Sequence, residues 1–481
     1  MKLREIFTET KFTESAGDTE ITGICIDSRK VAAGDLYVCI EGTQVDGHSF
    51  AADAVARGAA AVLHKKGKRG MKNIAVPRVA AEDTRLALAF VCKRFFGDPS
   101  ADMHLVGITG TNGKSSTVAF VEEILRAQGQ NVGAIGTLGA RINGEPLNID
   151  FVTSTTPDTV ELYHMLMAMR DAGAKYVVME VTSHALALHK VAALRFALGL
   201  FTNLSQDHLD FHGTMENYRA AKAKLFDLCD RGIINYDDPT RDFLLKYARS
   251  IPMITYGLAP DSDYYASDVV MGRNRVSYVI ENDVVEVPIP GKFTVYNTLC
   301  AYAASRELGF SADSIAMATS AIGTVAGRIQ SVPNYHGFTV IVDYAHSPDG
   351  LENIINSCRE FTENRVITVF GCGGDRDSAK RPLMGEIAGR LSDFCVITSD
   401  NPRNEDPDSI IAMVEEGVSP TGCAYQKITD RRDAIFAAIA MADEEDCVII
   451  AGKGHEDYQE FENGRRIHFD DAQVAREALE Q

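Results

Sequence analysis

The run Gly107-Ile108-Thr109-Gly110-Thr111-Asn112-Gly113-Lys114-Ser115-Ser116 follows an apolar, strand-like stretch and opens a helix-like one. Such a junction suits phosphate. Glycines let successive backbone N–H groups approach phosphate oxygens, a helix N-terminus adds the positive end of its dipole, Lys114 adds charge, and the Ser115 hydroxyl can reach Mg²⁺. The usual P-loop spacing requires glycine where this chain has Ile108; here glycines stand instead at 107, 110 and 113. This is a variant loop.

Further reactive side chains lie beyond it. In Met179-Glu180-Val181-Thr182-Ser183-His184, Glu180 closes a predicted strand, where ligands bind in open α/β sheets, and it is a plausible Mg²⁺ ligand. The next strand runs into Thr202-Asn203-Leu204-Ser205-Gln206-Asp207-His208-Leu209-Asp210-Phe211-His212-Gly213, dense in His and Asp. Taken singly, His208 is more often a hydrogen-bonded structural histidine than a metal ligand, and Lys222, on an apparent helix, more often part of a solvated face. Thr155-Thr156-Pro157-Asp158 suits a helix start, with Thr156 as N-cap and proline at the first helical position.

These residues need a scaffold, and the chain is long enough for about three domains at 481 residues. The expected division is 1–98, 99–326 and 327–481, with breaks at Gly97-Asp98-Pro99-Ser100 and near Gly327. The fold class read from the pattern is α/β throughout. A small N-terminal α/β domain precedes a central P-loop-type, mostly parallel sheet with helices on both faces. That sheet carries an appended β-hairpin region around Asn282-Asp283, and a C-terminal Rossmann-like domain follows, with strands at Phe338 to Tyr344, Val366 to Phe370, Phe394 to Thr398 and Cys447 to Ile450. A net charge of −19 argues against nucleic acid or anionic lipid as a general partner. No apolar signal core or bilayer-spanning run is evident, so the cytoplasm is the expected compartment. Ten cysteines without a Cys-x-x-Cys pair argue for reduced core thiols rather than a zinc cage.

Gly110 to Ser115, Glu180 before Ser183-His184, Asn203-Leu204 with Asp207-His208-Leu209-Asp210, Lys222, and Asp343-Tyr344-Ala345-His346-Ser347-Pro348 together resemble the Mur ligases, over essentially the whole chain. The resemblance implies an ATP-dependent amide ligase of peptidoglycan precursor synthesis: ATP phosphorylates a carboxylate, an amine attacks the acyl phosphate, and amide, ADP and phosphate leave. It implies ATP as cosubstrate and two Mg²⁺ ions, one served by Ser115 and Glu180, the other by His208 and a carbamylated Lys222. It also implies nucleotide contacts from Gly110, Thr111, Asn112, Gly113, Lys114, Ser115, Ser116, Asn297, Arg328 and Asp343.

Asp400-Asn401-Pro402-Arg403 resembles the signature of members that add meso-diaminopimelate as third residue of the stem peptide. That amino acid has a distal carboxylate that lysine lacks, and a planar guanidinium can bind it bidentately. Arg376, Gly452 and Glu456 match the same pocket. Residues 1–98 resemble a uridine-nucleotide-binding domain, with Ser28 near the diphosphate, and Thr155, Thr156, Thr182 and Lys190 match donor-contacting positions. Thr182 stands where serine is common in relatives, and Leu188 and Lys190 where Gln and Arg occur. The resemblance implies a monomer that joins meso-diaminopimelate to the D-glutamate γ-carboxylate of UDP-N-acetylmuramoyl-L-alanyl-D-glutamate. Rival readings are a relative using L-lysine, a folylpolyglutamate-type ligase, and a non-enzymatic ATP-dependent switch.

Overall fold

A computed structural model describes residues 1–7, 18–42, 45–147, 155–272, 275–323, 327 and 329–481. Its contacts divide into two compact units, one formed by Met1–Lys114 with Leu125–Ile254, the other by Ser115–Ile124 with Thr255–Gln481.

The first unit opens with β1 (Gly23–Cys25), β2 (Asp35–Val38), β3 (Ala61–Lys65) and β4 (Arg78–Ala81), a parallel sheet in that order. Every residue of β2 is buried, the pattern of a parallel strand covered on both faces. Helix Thr84–Phe96 follows, started by the Asp83 carboxylate accepting from the N–H groups of Arg85 and Leu86. Phe96 on this helix stacks on Tyr163 of helix Thr159–Asp171. One apolar core therefore runs from Leu36, Val79 and Leu88 through Leu162 to Val177.

The unit's second sheet contains β5 (His104–Thr109), β6 (Val132–Gly136), β7 (Gly139–Ile142), β8 (Glu145–Pro146), β9 (Tyr176–Glu180), β10 (Phe196–Phe201) and β11 (Cys229–Asn235). The order is β11-β10-β5-β9-β6-β7-β8, parallel from β11 to β6 and antiparallel in the β7 and β8 ribbon. Central β5 pairs Ile108 with Glu180 on one side and Thr109 with Phe201 on the other. Three carboxyl ends thus meet at one edge of the sheet.

The chain enters the second unit along β12 (Met253–Gly257), whose Tyr256 pairs with Tyr264 of β13 (Tyr264–Met271). Then β14 (Val276–Ile280) and β15 (Asp283–Val287) form the expected antiparallel hairpin, with Glu281 at positive φ in its turn. Helix Lys292–Glu307 follows. The last sheet comprises β16 (Gln330–Ser331), β17 (Thr339–Asp343), β18 (Val366–Phe370), β19 (Phe394–Ile397), β20 (Ala424–Lys427) and β21 (Cys447–Ala451). Its order is β16-β17-β21-β18-β19-β20, with only β16 antiparallel. Among the described residues no helix is long and apolar enough to cross a membrane.

One local expectation needs correction. Helix Thr159–Asp171 begins after Asp158, so Thr156 is not its N-cap and Pro157 is not its first helical residue. The Thr156 hydroxyl instead donates to the Glu180 carbonyl at 2.9 Å and accepts from the Thr182 N–H at 3.0 Å. A tertiary partner for the hydroxyl replaces the local one.

Candidate active site

The phosphate loop joins β5 to helix Lys114–Ala127, so Lys114, Ser115 and Ser116 form the first helical turn. Gly110 has φ +147°, and a Cβ there would overlap the Thr202 hydroxyl, so only glycine fits. The segment after β10 holds the loop: Thr202 donates to the Asn112 carbonyl at 2.7 Å, the Asn203 carbonyl accepts from Thr111 N–H at 2.8 Å, and Asn203 Oδ1 accepts from Asn112 N–H at 3.0 Å. Two loop N–H groups are therefore engaged by Asn203. The Thr111 hydroxyl lies 3.2 Å from the Tyr218 hydroxyl.

Two lysines converge on this loop. Lys114 Nζ donates to the carbonyls of Gly110 at 3.0 Å and Thr111 at 2.7 Å, while Lys222 Nζ donates to the same Gly110 carbonyl at 2.6 Å. Lys222, on helix Met215–Ala223, is 2% exposed and sits over the Tyr218 ring. Burial first, then repulsion from Lys114, push its pKa well below the usual lysine range, against a pull from Asp207. His208 caps helix Leu209–His212 at φ 52°, with its ring 4.8 Å from that of His184 and 6.1 Å from that of Tyr218. Burial, with His208 and His212 adding to it, lowers the His184 pKa to about 4, so its ring is neutral at physiological pH.

Glu180 ends β9 and is buried; its carboxylate accepts from Thr137 N–H at 2.8 Å and from the Thr137 hydroxyl at 3.3 Å. Gly136 clears the space beside it. The Thr137 hydroxyl is 3.2 Å from that of Thr155, and that of Thr156 is 3.2 Å from that of Thr182, which caps helix Ser183–Ala187. Lys190 reaches the Thr156 carbonyl at 3.4 Å and pairs with Asp158 at 2.8 Å. Thr155, Thr156, Thr182 and Lys190 thus form one patch beside Glu180. Ser28 lines a separate cavity of about 950 Å³ in the N-terminal sheet region, with Asp27, Arg29, Tyr37 and Arg57.

The described residues fit a divalent cation in their chemistry. Glu180 is a buried carboxylate and Ser115 a buried hydroxyl, both oxygen ligands of the kind Mg²⁺ takes, whereas Lys222, whose burial disfavours its ammonium form, would offer an oxygen only as a carbamate.

In the second unit, loops after β17, β18, β19 and β21 line a cavity of about 400 Å³ that gathers Arg376, Asp400, Asn401, Arg403, Gly452 and Glu456. Pro402 lies between two of these residues. Arg403 has φ 51° and donates to the Gly374 carbonyl at 2.8 Å. Asn401 Nδ2 donates to Glu456 at 2.9 Å, and fully buried Lys453 donates to both Asn401 Oδ1 and Glu456, each at 3.1 Å. A Cβ on Gly452 would stand 2.7 Å from the Asp400 carboxylate. Two internal arginines brace these loops: Arg431 with Asp471, and Arg381 with Glu405. In the same unit, Asp343 accepts from the N–H groups of Ile329 and Ala345, and Asn297 is buried in helix Lys292–Glu307. Arg328 lies outside the described residues.

The sequence does not single out Thr137, Tyr218 or Lys453. For Tyr218 the signal was present, since it precedes Lys222 by one helical turn.

A phosphate loop at the end of a parallel sheet, with a buried carboxylate and buried lysine beside it, defines a nucleotide-dependent enzyme of the P-loop type. Family models agree over most of the chain: "Mur ligase family, catalytic domain" matches residues 20–96, "Mur ligase middle domain" 108–305, and "Mur ligase, glutamate ligase domain" 327–454. The chain belongs to the Mur ligase family. It is 43% identical to UDP-N-acetylmuramoyl-L-alanyl-D-glutamate–2,6-diaminopimelate ligase 2 of Clostridium acetobutylicum, with all of both chains covered. It is 42% identical to the corresponding ligase of Geobacillus kaustophilus, over 97% of this chain and 96% of that one. A solved structure of such a ligase matches with a TM-score of 0.70 at 31% identity, covering 100% of this chain and 99% of the other. A Mycobacterium tuberculosis folylpolyglutamate synthase shares the fold at 18% identity and a TM-score of 0.61 over 76% of this chain.

Proposed function

We propose that this protein is the ATP-dependent ligase that joins meso-diaminopimelate to the D-glutamate γ-carboxylate of UDP-N-acetylmuramoyl-L-alanyl-D-glutamate, acting in the cytoplasm as a monomer. The observation that carries the choice of amino acid is the cavity holding Arg376 and Arg403 together with Glu456. The distal end of diaminopimelate is itself an amino-acid head, a carboxylate beside an ammonium, and this pocket offers a guanidinium for the one and a carboxylate for the other. Lysine would leave Arg403 with only the Glu460 carboxylate, 3.9 Å from its Nε.

The domain roles follow the division 1–98 for the nucleotide donor, 99–326 for ATP and 327–481 for the amino acid. Lys114 and the loop bind the ATP phosphates, with Asn297, Arg328 and Asp343 as further nucleotide contacts. Ser28, Thr155, Thr156, Thr182 and Lys190 orient the donor so that its γ-carboxylate oxygen attacks the terminal phosphorus and ADP leaves. The amine of diaminopimelate then attacks the acyl carbon, a proton departs from nitrogen, and phosphate is expelled. Ser115 and Glu180 would hold one Mg²⁺, and His208 with carbamylated Lys222 a second; when bound, such ions neutralise charge between phosphates and carboxylate. The chain's own contribution is positioning: Asn203 fixes the loop, Thr137 fixes Glu180, and Lys453 fixes Glu456.

Incubation with the nucleotide donor, ATP, Mg²⁺ and each amino acid in turn tests the reading. ADP formation that requires both donor and diaminopimelate is expected. Preference for lysine would overturn the Arg403 argument, and ADP release without any amide product would overturn the ligase.

A further inference from the structure

A cavity of about 310 Å³ in the first unit is lined by apolar Ile26, Ile40, Leu88 and Leu188 together with the charged Arg85, Lys190 and Asp158. It shares Ile26 and Ile40 with the larger cavity that contains Ser28. From the same lining Lys190 reaches the Thr156 carbonyl, and the Thr156 hydroxyl reaches the Glu180 backbone carbonyl. The small cavity therefore adjoins the Ser28 cavity and, through Lys190 and Thr156, the end of the strand that carries Glu180.

Its charges do not balance. Lys190 is paired with Asp158 at 2.8 Å, whereas among the described residues no carboxylate forms an ion pair with Arg85. The Arg85 side chain donates one N–H, from Nη2, to the Glu41 carbonyl at 3.1 Å, and a guanidinium has five donors. Helix Thr84–Phe96, anchored by its Asp83 cap, fixes where the arginine emerges. The Leu188 side chain, also in the lining, can make no polar contact. A cation without a carboxylate partner among apolar side chains, in a cavity adjoining the one assigned to the donor, is suited to an anion carried by the donor.

We propose that Arg85 is a donor-binding residue that takes an anionic group of the nucleotide substrate, a peptide carboxylate or a diphosphate oxygen. This rests on the donor assigned under Proposed function. Calorimetric titration of the wild type, Arg85→Gln and Arg85→Lys tests it. Each is titrated with UDP-N-acetylmuramoyl-L-alanyl-D-glutamate and with UDP-N-acetylglucosamine, which has the diphosphate but no carboxylate. Glutamine keeps a donor for the Glu41 carbonyl but loses the charge; lysine keeps the charge but loses the fork.

The expected result is affinity for the full donor lower by about 10- to 100-fold in Arg85→Gln and by less in Arg85→Lys, with UDP-N-acetylglucosamine unaffected; the group is then a carboxylate. An equal loss for both ligands also upholds the proposal and identifies the diphosphate. Unchanged affinities in both variants overturn it. Should Arg85→Gln not fold, an Arg85→Lys protein with wild-type affinity for both ligands overturns it equally. A wild type that binds neither nucleotide sinks the donor assignment itself, a result distinct from an indifferent Arg85.

Discussion

Replacing Gly110 by alanine tests whether the phosphate loop depends on its backbone shape. At φ +147° a residue with Cβ is strained by about 1–3 kcal/mol. The added carbon would overlap the Thr202 hydroxyl and approach Thr202 Cβ at 3.1 Å and Asn203 N at 3.2 Å. Relieving the overlap means moving Thr202, whose hydrogen bond to the Asn112 carbonyl is worth about 0.5–1.5 kcal/mol. Together these give a destabilisation of roughly 2–4 kcal/mol. Because the Gly110 carbonyl is the shared acceptor for Lys114 and Lys222, a loop displacement of ~1 Å is expected to lower kcat by about 100-fold. Coupled-assay ADP formation measures the rate and a thermal scan the stability. Adding Thr202→Ala removes the overlap but not the strain, so a double variant faster than Gly110→Ala assigns the defect to the clash. Gly110→Ala with near-normal kcat and an unchanged KM for ATP would refute the reasoning.

Lys114→Ala removes the loop's charge and is expected to reduce kcat by about 100- to 1,000-fold, with the overall fold unchanged by circular dichroism. Arg403→Lys replaces a two-pronged donor by a point charge and is expected to raise the KM for diaminopimelate by about tenfold or more while ATP binding persists; an unchanged KM tells against the contact. Lys453→Met removes two hydrogen bonds of 3.1 Å from a fully buried ammonium, leaving Asn401 and Glu456 less well fixed. Steady-state kinetics are expected to show the KM for diaminopimelate raised by about 10- to 100-fold with the donor KM unaffected, and a matched rise in both would assign Lys453 to the fold alone.

What the sequence disclosed follows from how far apart the interacting residues lie. The phosphate loop was legible because glycines, lysine and hydroxyl act within one turn of chain, and β18 was legible because Val366–Phe370 is a run of β-branched and aromatic residues, buried throughout. Strand β20 was missed: Ala424-Tyr425-Gln426-Lys427 is an exposed edge without an apolar pattern. Thr156 was misread because hydroxyl, proline and acid imitate a helix start, while its actual partners at 180 and 182 are distant in sequence. The burial of Lys222 was equally hidden. Its acceptor lies 112 residues away, and on a helix of polar composition the side chain resembles a solvated one.

The two lysines on one carbonyl also explain a chemical feature of the loop. A carbonyl oxygen has two lone pairs, and here both lysines use that one acceptor, Lys114 half-exposed and Lys222 buried. Without an anion the arrangement is costly to the inner lysine, because burial and the neighbouring ammonium both penalise its charge. Two events relieve that cost. Phosphate arriving at the loop draws off the field of Lys114, and loss of the Lys222 proton gives a neutral amine, the form whose nitrogen can take up carbon dioxide as a carbamate. The carbamylation proposed above would then turn a buried cation into an anion a helical turn from Tyr218, near the carboxyl end of the strand where Glu180 places a carboxylate. A lysine whose charge is penalised by burial, beside a loop built for phosphate, thus suits a site that must gather cations and anions in turn.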